Sequence, residues 1–134
     1  MKVGDCFYAR THAEFLNRTF GTNYKAWMKS VWTYDADTIV WIVRFDGKIR
    51  DGWKNYFVSG NRIYEENLYR REIFYGKSMR FFLTQDRIVI EIDDSSSDRK
   101  YVFRGVFRYD KNNSDPYMVR YYDKISDEFI IKHR

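Results

Sequence analysis

RKYVFRGVFRY, residues Arg99 to Tyr109, is the longest clean alternation in the chain. Tyr101, Phe103, Phe107 and Tyr109 fall on one side, and Val102, Arg104, Val106 and Arg108 on the other. A period of two belongs to a β-strand with one buried face. Gly105 occupies a place on the aromatic side; such a glycine marks a bulge, a bend or a close approach by another backbone or a ligand. The loop DKNNSDP and a second β-rich run, YMVRYYDKI, follow. The two runs predict the core hairpin of an antiparallel sheet.

Upstream, RIVIEI (87–92) pairs naturally with MRFFLT (79–84) across Gln85-Asp86, and DDSSSD (93–98) is a polar, exposed connection. TIVWIVRF (38–45) is a near-continuous apolar run, as expected of a central strand buried on both faces. Asp46-Gly47 is a hairpin turn signal leading into KIRDGWKNYFV, where Ile49, Trp53 and Phe57 alternate with Arg50 and Lys54 and Gly52 marks a bulge. Ser59-Gly60-Asn61 turns the chain again into RIYEE. Residues 66–78, dense in Arg and Tyr, carry no clear period, and EFIIKH reads as a short last strand.

At the other end, Lys2 to Arg10 reads as a first strand with a turn at Gly4-Asp5. Thr11 and Glu14 form a T-x-x-E capping box, Phe15, Leu16 and Phe20 an apolar stripe, and Gly21 a stop. Tyr24, Trp27, Met28 and Val31 have the spacing of a second helical face. The expected fold is α+β and mostly β: a strongly curved antiparallel sheet or small β-barrel, with one or two short helices within residues 12–31. Barrel closure removes exposed edges, which an aromatic-rich chain needs in order to avoid aggregation.

The 134 residues fit one domain, 1–134, with a real hydrophobic core. Twelve Tyr, eleven Phe and four Trp exclude a disordered chain. A net charge of +5 favours anionic partners over cationic ones. The single cysteine, Cys6, allows no internal disulfide and fits a reducing cytoplasm; it is expected to be a buried, structural thiol in an apolar strand. No signal peptide or membrane-spanning run is evident, so the expectation is a cytoplasmic protein.

Catalytic and metal constellations are sparse. One cysteine and two distant histidines leave no zinc site, and no cofactor motif occurs. Asp93, Asp94 and Asp98 lack the Gly and distal Glu of an EF-hand loop. Glu91 and Asp93 share a strand face as nuclease carboxylates do, but no lysine follows at close spacing. The more suggestive pattern interleaves cations with rings: Arg44, Lys48, Arg50, Lys54, Arg62, Arg70, Arg71, Arg80, Arg104, Arg108 and Arg120 almost all lie within two residues of an aromatic. Rings stack on bases while cations track phosphates. Lys100, Arg104 and Arg108 share parity as a basic stripe. Trp53 and Asn55 share parity too, a ring to stack on a base beside an amide to read its edge. Arg10 and His12, at the first strand-to-helix junction, can supply a second wall. The candidate ligand-binding residues are therefore Arg10, His12, Trp53, Asn55, Arg104 and Arg108.

The stretch from Tyr101 to Ser126, a strand with a central Gly, a short loop and a returning strand rich in Arg and Tyr, resembles the closing strands of PUA-like domains, the group that includes the SRA and EVE modules that read modified bases. The resemblance covers about a fifth of the chain and implies a curved, nucleic-acid-binding barrel; it carries over no pocket residue. The leading expectation is a non-enzymatic binding domain for nucleic acid or a nucleotide. The alternative is a protein-interaction or inhibitor module, such as a mobile-element antidefence protein that blocks a host complex or sequesters a signalling nucleotide. A small metal-dependent nuclease using Glu91 and Asp93 comes last. Oligomeric state is left open.

Overall fold

The structure, a computed structural model, describes residues 1–50, 52–68, 83–95, 98–116 and 118–132. Among the described residues eight strands and one helix run in the order β1 (Cys6–Ala9), α1 (His12–Phe20), β2 (Val31–Thr33), β3 (Thr38–Val43), β4 (Trp53–Ser59), β5 (Arg62–Asn67), β6 (Asp86–Asp93), β7 (Arg99–Tyr109) and β8 (Val119–Ser126). They form one sheet in the order β2-β3-β6-β7-β8-β5-β4, with β1 added beside β7. The fold is α+β and mostly β, and the sheet is curved and open: β2 and β4 end it without pairing to each other. Its curl still brings distant strands together. Trp41 of β3 and Tyr122 of β8 have ring centres 5.3 Å apart although β6 and β7 lie between them.

The β7–β8 and β4–β5 hairpins form as expected, and the chain turns at Gly60. β3 is a central strand buried from Ile39 to Val43. Its partners differ from expectation: Asp46-Gly47 does not fold β3 back onto β4, and β3 pairs instead with β2 and, in parallel, with β6. Apolar side chains on both faces are what a parallel pair covered on two sides requires. The strand expected at EFIIKH is absent through Lys132; Glu128 makes a single bridge to Lys2. MRFFLT and the segment 66–78 fall largely outside the described residues, as do Arg70, Arg71, Arg80 and His133.

α1 starts where the capping box places it. The Thr11 hydroxyl accepts from the Glu14 amide, the Glu14 carboxylate accepts from the Arg10 amide, and Gly21 closes the helix at φ 74°. The second helix does not form; residues 22–30 are a loop. Asn17 explains why: its Oδ1 accepts from the Tyr24 amide at 2.8 Å and from the Thr22 hydroxyl at 2.6 Å, while its Nδ2 donates to the Tyr24 carbonyl at 2.8 Å. That side chain takes over Tyr24's backbone groups from any helical ladder. Among the described residues no helix is long and apolar enough to cross a membrane.

The two faces of the sheet build two cores. On the convex face Phe15, Leu16 and Phe20 of α1 pack with Val40, Ile42, Ile88, Ile90, Tyr101 and Phe103. Each such side chain, fully buried, contributes about 1.5–3 kcal/mol. On the concave face Trp41, Val43, Ile63, Val89, Phe107 and Tyr122 cluster. Phe103 and Phe107 thus lie on opposite faces, contrary to the unbroken alternation read from the sequence. The cause is a bulge at Gly105 (φ 119°): Val89 pairs with Gly105 but Ile90 with Phe103, leaving Arg104 as the extra residue. A Cβ at Gly105 would come within 3.0 Å of the Ser126 carbonyl oxygen, so the position also needs glycine for the close approach of β8.

Candidate nucleic-acid interface

The concave face opens into a cavity of about 530 Å³ whose lining includes His12, Trp41, Trp53, Asn55, Glu65, Arg87 and Arg120. Strand alternation places all of these but His12, which begins α1. Ile63 and Glu65 point inward from β5, and their partners across the ladders, Phe57 and Asn55 on β4 and Tyr122 and Arg120 on β8, share that face. Of the residues expected from sequence, Trp53, Asn55 and His12 are brought to this one cavity. Arg10 is not: it is exposed at the surface, 3.6 Å from Asp98.

Three charged side chains of the cavity are buried. Glu65 is 7% exposed and Arg120 is 3% exposed, and the Glu65 Oε1 accepts from the Tyr122 hydroxyl at 2.9 Å and from Arg120 at 3.5 Å. Arg120 also donates to the Pro116 carbonyl and lies 4.8 Å from the centre of the Trp53 ring. Arg87, 4% exposed, is held between the rings of Trp41 at 4.8 Å and Tyr122 at 4.4 Å. Burial pushes the Tyr122 hydroxyl well above its ordinary range, so it remains a donor. The Asn55 side-chain carbonyl oxygen is buried and accepts no hydrogen bond from any described residue, and the Nε of Arg87 is likewise buried without a hydrogen-bond acceptor.

At the cavity's other end, His12 places its Nδ1 2.9 Å from the Tyr101 hydroxyl. Burial, with the Arg99 and Arg44 guanidinium groups nearby, lowers its pKa to about 4, so the imidazole is neutral at physiological pH. Met28 and Lys29, from the loop that Asn17 pins, stand at the cavity, and Met28 is 91% exposed.

The expected basic stripe does not survive the bulge. Lys100 and Arg104 stay on the concave side, lining a neighbouring cavity of about 500 Å³, where Arg104 stacks 4.6 Å from the Phe57 ring centre and pairs with Glu91. Arg108 is turned to the convex side, in an ion pair with Asp86. Several other cations of the interleaved pattern are also matched to carboxylates: Arg44 with Asp94, Arg50 with Asp46, and Arg62 with Asp110 and Asp123. Cys6 is exposed rather than buried and lines the second cavity, its thiol 3.2 Å from the Gly4 carbonyl oxygen. β1 pairs along one margin of β7, and of its four residues only Ala9 is fully buried. Glu91 and Asp93 line that second cavity too, with Lys100 opposite Asp93 across the ladder; among the described residues no three His, Cys, Asp or Glu side chains are grouped to hold a metal.

Sequence reasoning did not single out Glu65, Arg87 or Trp41. A signal existed for Glu65: it falls two residues after Ile63 on the inward parity of β5. Arg87 likewise shares parity with Val89 on a strand otherwise apolar at that face.

The SET and RING associated (SRA) domain family model matches residues 1–131. No curated protein matches the chain. Among solved structures, the 5-hydroxymethylcytosine-specific restriction enzyme AbaSI shares the fold, with a TM-score of 0.67 and 22% sequence identity over 92% of this chain. The chain spans 39% of that protein's length.

Proposed function

The chain belongs to the SRA domain family, and from that premise we propose that it binds duplex DNA and receives one modified base, turned out of the stack, in the concave cavity. The observation that carries the reading is the Asn55 carbonyl oxygen, buried without a donor in a cavity beside Trp53. A buried acceptor left unpaired costs free energy, and a ligand donor recovers it. The donor in this reading is the exocyclic amine of a base stacked on Trp53. AbaSI is specific for 5-hydroxymethylcytosine by its description, and a modified cytosine carries such an amine. The remaining cavity volume takes a substituent on the ring.

The other parts have matching roles. Lys29 and Lys48 line the cavity and face the backbone of the DNA. Met28 stands on a braced loop as an apolar wedge for the gap that a turned-out base leaves. The reading is of a recognition domain, not of a bond-breaking one: the cavity offers stacking, hydrogen bonds and fixed charge.

Fluorescence anisotropy with otherwise identical duplexes carrying cytosine, 5-methylcytosine or 5-hydroxymethylcytosine tests it, repeated across salt concentrations. The expected result is tighter binding to a modified duplex, with affinity falling as salt rises. Equal, salt-insensitive affinity for all three duplexes would overturn the reading and favour a protein target.

A further inference from the structure

We infer that the convex side of β4, β5 and β8 is a docking face for a second copy of this chain, set back to back so that the two cavities open away from each other. This pairing is independent of what the cavity binds. The core beneath α1 draws on β1, β2, β3, β6 and β7 and on no residue of β4, β5 or β8. The half of the sheet left over is not an ordinary charged surface. Strand register sets Tyr56, Tyr64 and Tyr121 side by side across its three strands, on the side away from Asn55, Glu65 and Arg120. Their ring centres are 4.7 Å and 5.4 Å apart. Tyrosine is enriched where protein surfaces meet, because its ring covers much area at little cost in entropy.

Charge decides the occupant. Lys54, at one corner of the face, has no carboxylate within ion-pair distance among the described residues; its ammonium lies 5.8 Å from the centre of the Tyr56 ring. At the opposite corner two carboxylates, Asp123 and Asp110, share the single guanidinium of Arg62. The face therefore carries no excess of cations, although the chain as a whole is +5, and it does not favour DNA. A second copy fits it. A two-fold axis lying between the faces, through Tyr64 and perpendicular to the line from Lys54 to Asp123, brings Lys54 onto the partner's Asp123 and the partner's Lys54 onto Asp123. The same rotation sets Arg62, already stacked 4.3 Å from the Tyr121 ring centre, against the partner's Tyr56. Such self-matching is what a two-fold interface requires. The strands of the two copies cross near a right angle, a known packing of sheet on sheet. Three strands of a convex face bury little area, so the pair belongs to the weak, transient class of interfaces.

Sedimentation velocity of the whole chain, over a concentration series reaching the millimolar range and at low and high salt, reads the association. The expected result is a concentration-dependent dimer that weakens as salt rises. Lys54→Glu and Asp123→Lys are each expected to weaken it at least ~10-fold, because both symmetry-related pairs turn repulsive. An equimolar mixture of the two variants should recover the dimer, since each supplies the charge that the other lacks. Carbodiimide coupling of mixed ¹⁴N- and ¹⁵N-labelled wild type reads the register without any variant: it should join Lys54 of one copy to Asp123 of another. Within one chain these residues stand roughly 17 Å apart by strand spacing, too far for a zero-length bond. A wild type that stays monomeric at the highest concentration overturns the inference, and so does a dimer that Lys54→Glu leaves intact. Loss of duplex binding in Lys54→Glu, with no self-association of the wild type, would overturn it in favour of nucleic acid on this face.

Discussion

The two faces of the same sheet are built on different terms. On the convex face, α1 covers aliphatic and aromatic side chains such as Leu16, Ile88, Ile90 and Phe103, all fully buried. On the concave face, rings of similar size surround Glu65, Arg87 and Arg120, three ionisable groups with less than a tenth of their surface exposed. Buried charge is expensive even when paired, and well-packed apolar residues of equal volume are often as stable or more so. A face that keeps such charged groups is arranged for something other than stability. The convex face holds the fold, and the concave face spends part of that stability on holding polar groups ready.

The largest expected effect lies on the convex side. Phe103→Ala removes a fully buried ring from the middle of β7 and is expected to lower unfolding free energy by about 3–5 kcal/mol. The fraction that remains folded should keep its preference among duplexes. Urea unfolding followed by anisotropy at low denaturant checks both; a changed preference would mean that the faces are coupled and that the division just drawn is wrong.

Glu65→Leu probes the opposite face and should cost about 3 kcal/mol, because Arg120 and the Tyr122 hydroxyl lose their shared carboxylate. Here the fold and the binding preference should suffer together, since the pair sets the position of the guanidinium against Trp53. Asn55→Leu sharpens the contrast further. It removes an unsatisfied oxygen, so stability should hold or rise by up to about 1 kcal/mol, while affinity for the modified duplex falls ~10-fold. Opposite signs in melting and in binding would identify a group kept for its ligand. A parallel loss in both would make Asn55 an ordinary packing residue.

Much of the scaffold was legible from local signals. The capping box at Thr11 and Glu14, the glycine stop at Gly21, the buried run of β3 and the turn at Gly60 each depend on a few neighbouring residues, and each appears in the structure. Trp53 and Asn55 were legible as a pair because no bulge separates them. What was not legible depends on distant partners. Helical spacing over Tyr24 to Val31 gave no hint that Asn17 would capture the Tyr24 backbone. The parallel pairing of β3 with β6 joins segments more than forty residues apart and leaves no mark on either beyond a double-sided apolar pattern. Strand parity also says which residues share a face but not which face encloses the cavity, so nothing marked out Glu65 and Arg87.

Gly105 is the instructive intermediate. Its bulge was readable, yet the alternation was carried straight through it, and Arg104 and Arg108 were grouped as neighbours on one stripe. In the structure they belong to the two different faces, Arg104 over Phe57 and Arg108 beside Asp86. This yields the smallest prediction and the most discriminating one. The Arg108–Asp86 pair is open to water, with Arg108 63% exposed, so its loss is expected to cost at most about 1 kcal/mol of stability. Arg108→Ala should leave duplex affinity and its salt dependence unchanged. Arg104→Ala should perturb stability no more, because its pair with Glu91 is also partly exposed. It should nonetheless weaken binding a few-fold, and if it meets a phosphate the slope of log affinity against log salt should fall by about 1. If both variants weaken binding alike, the DNA wraps past the edge of the sheet to reach the convex face. If only Arg104→Ala does, one extra residue in β7 has decided which of two near-identical arginines faces the ligand.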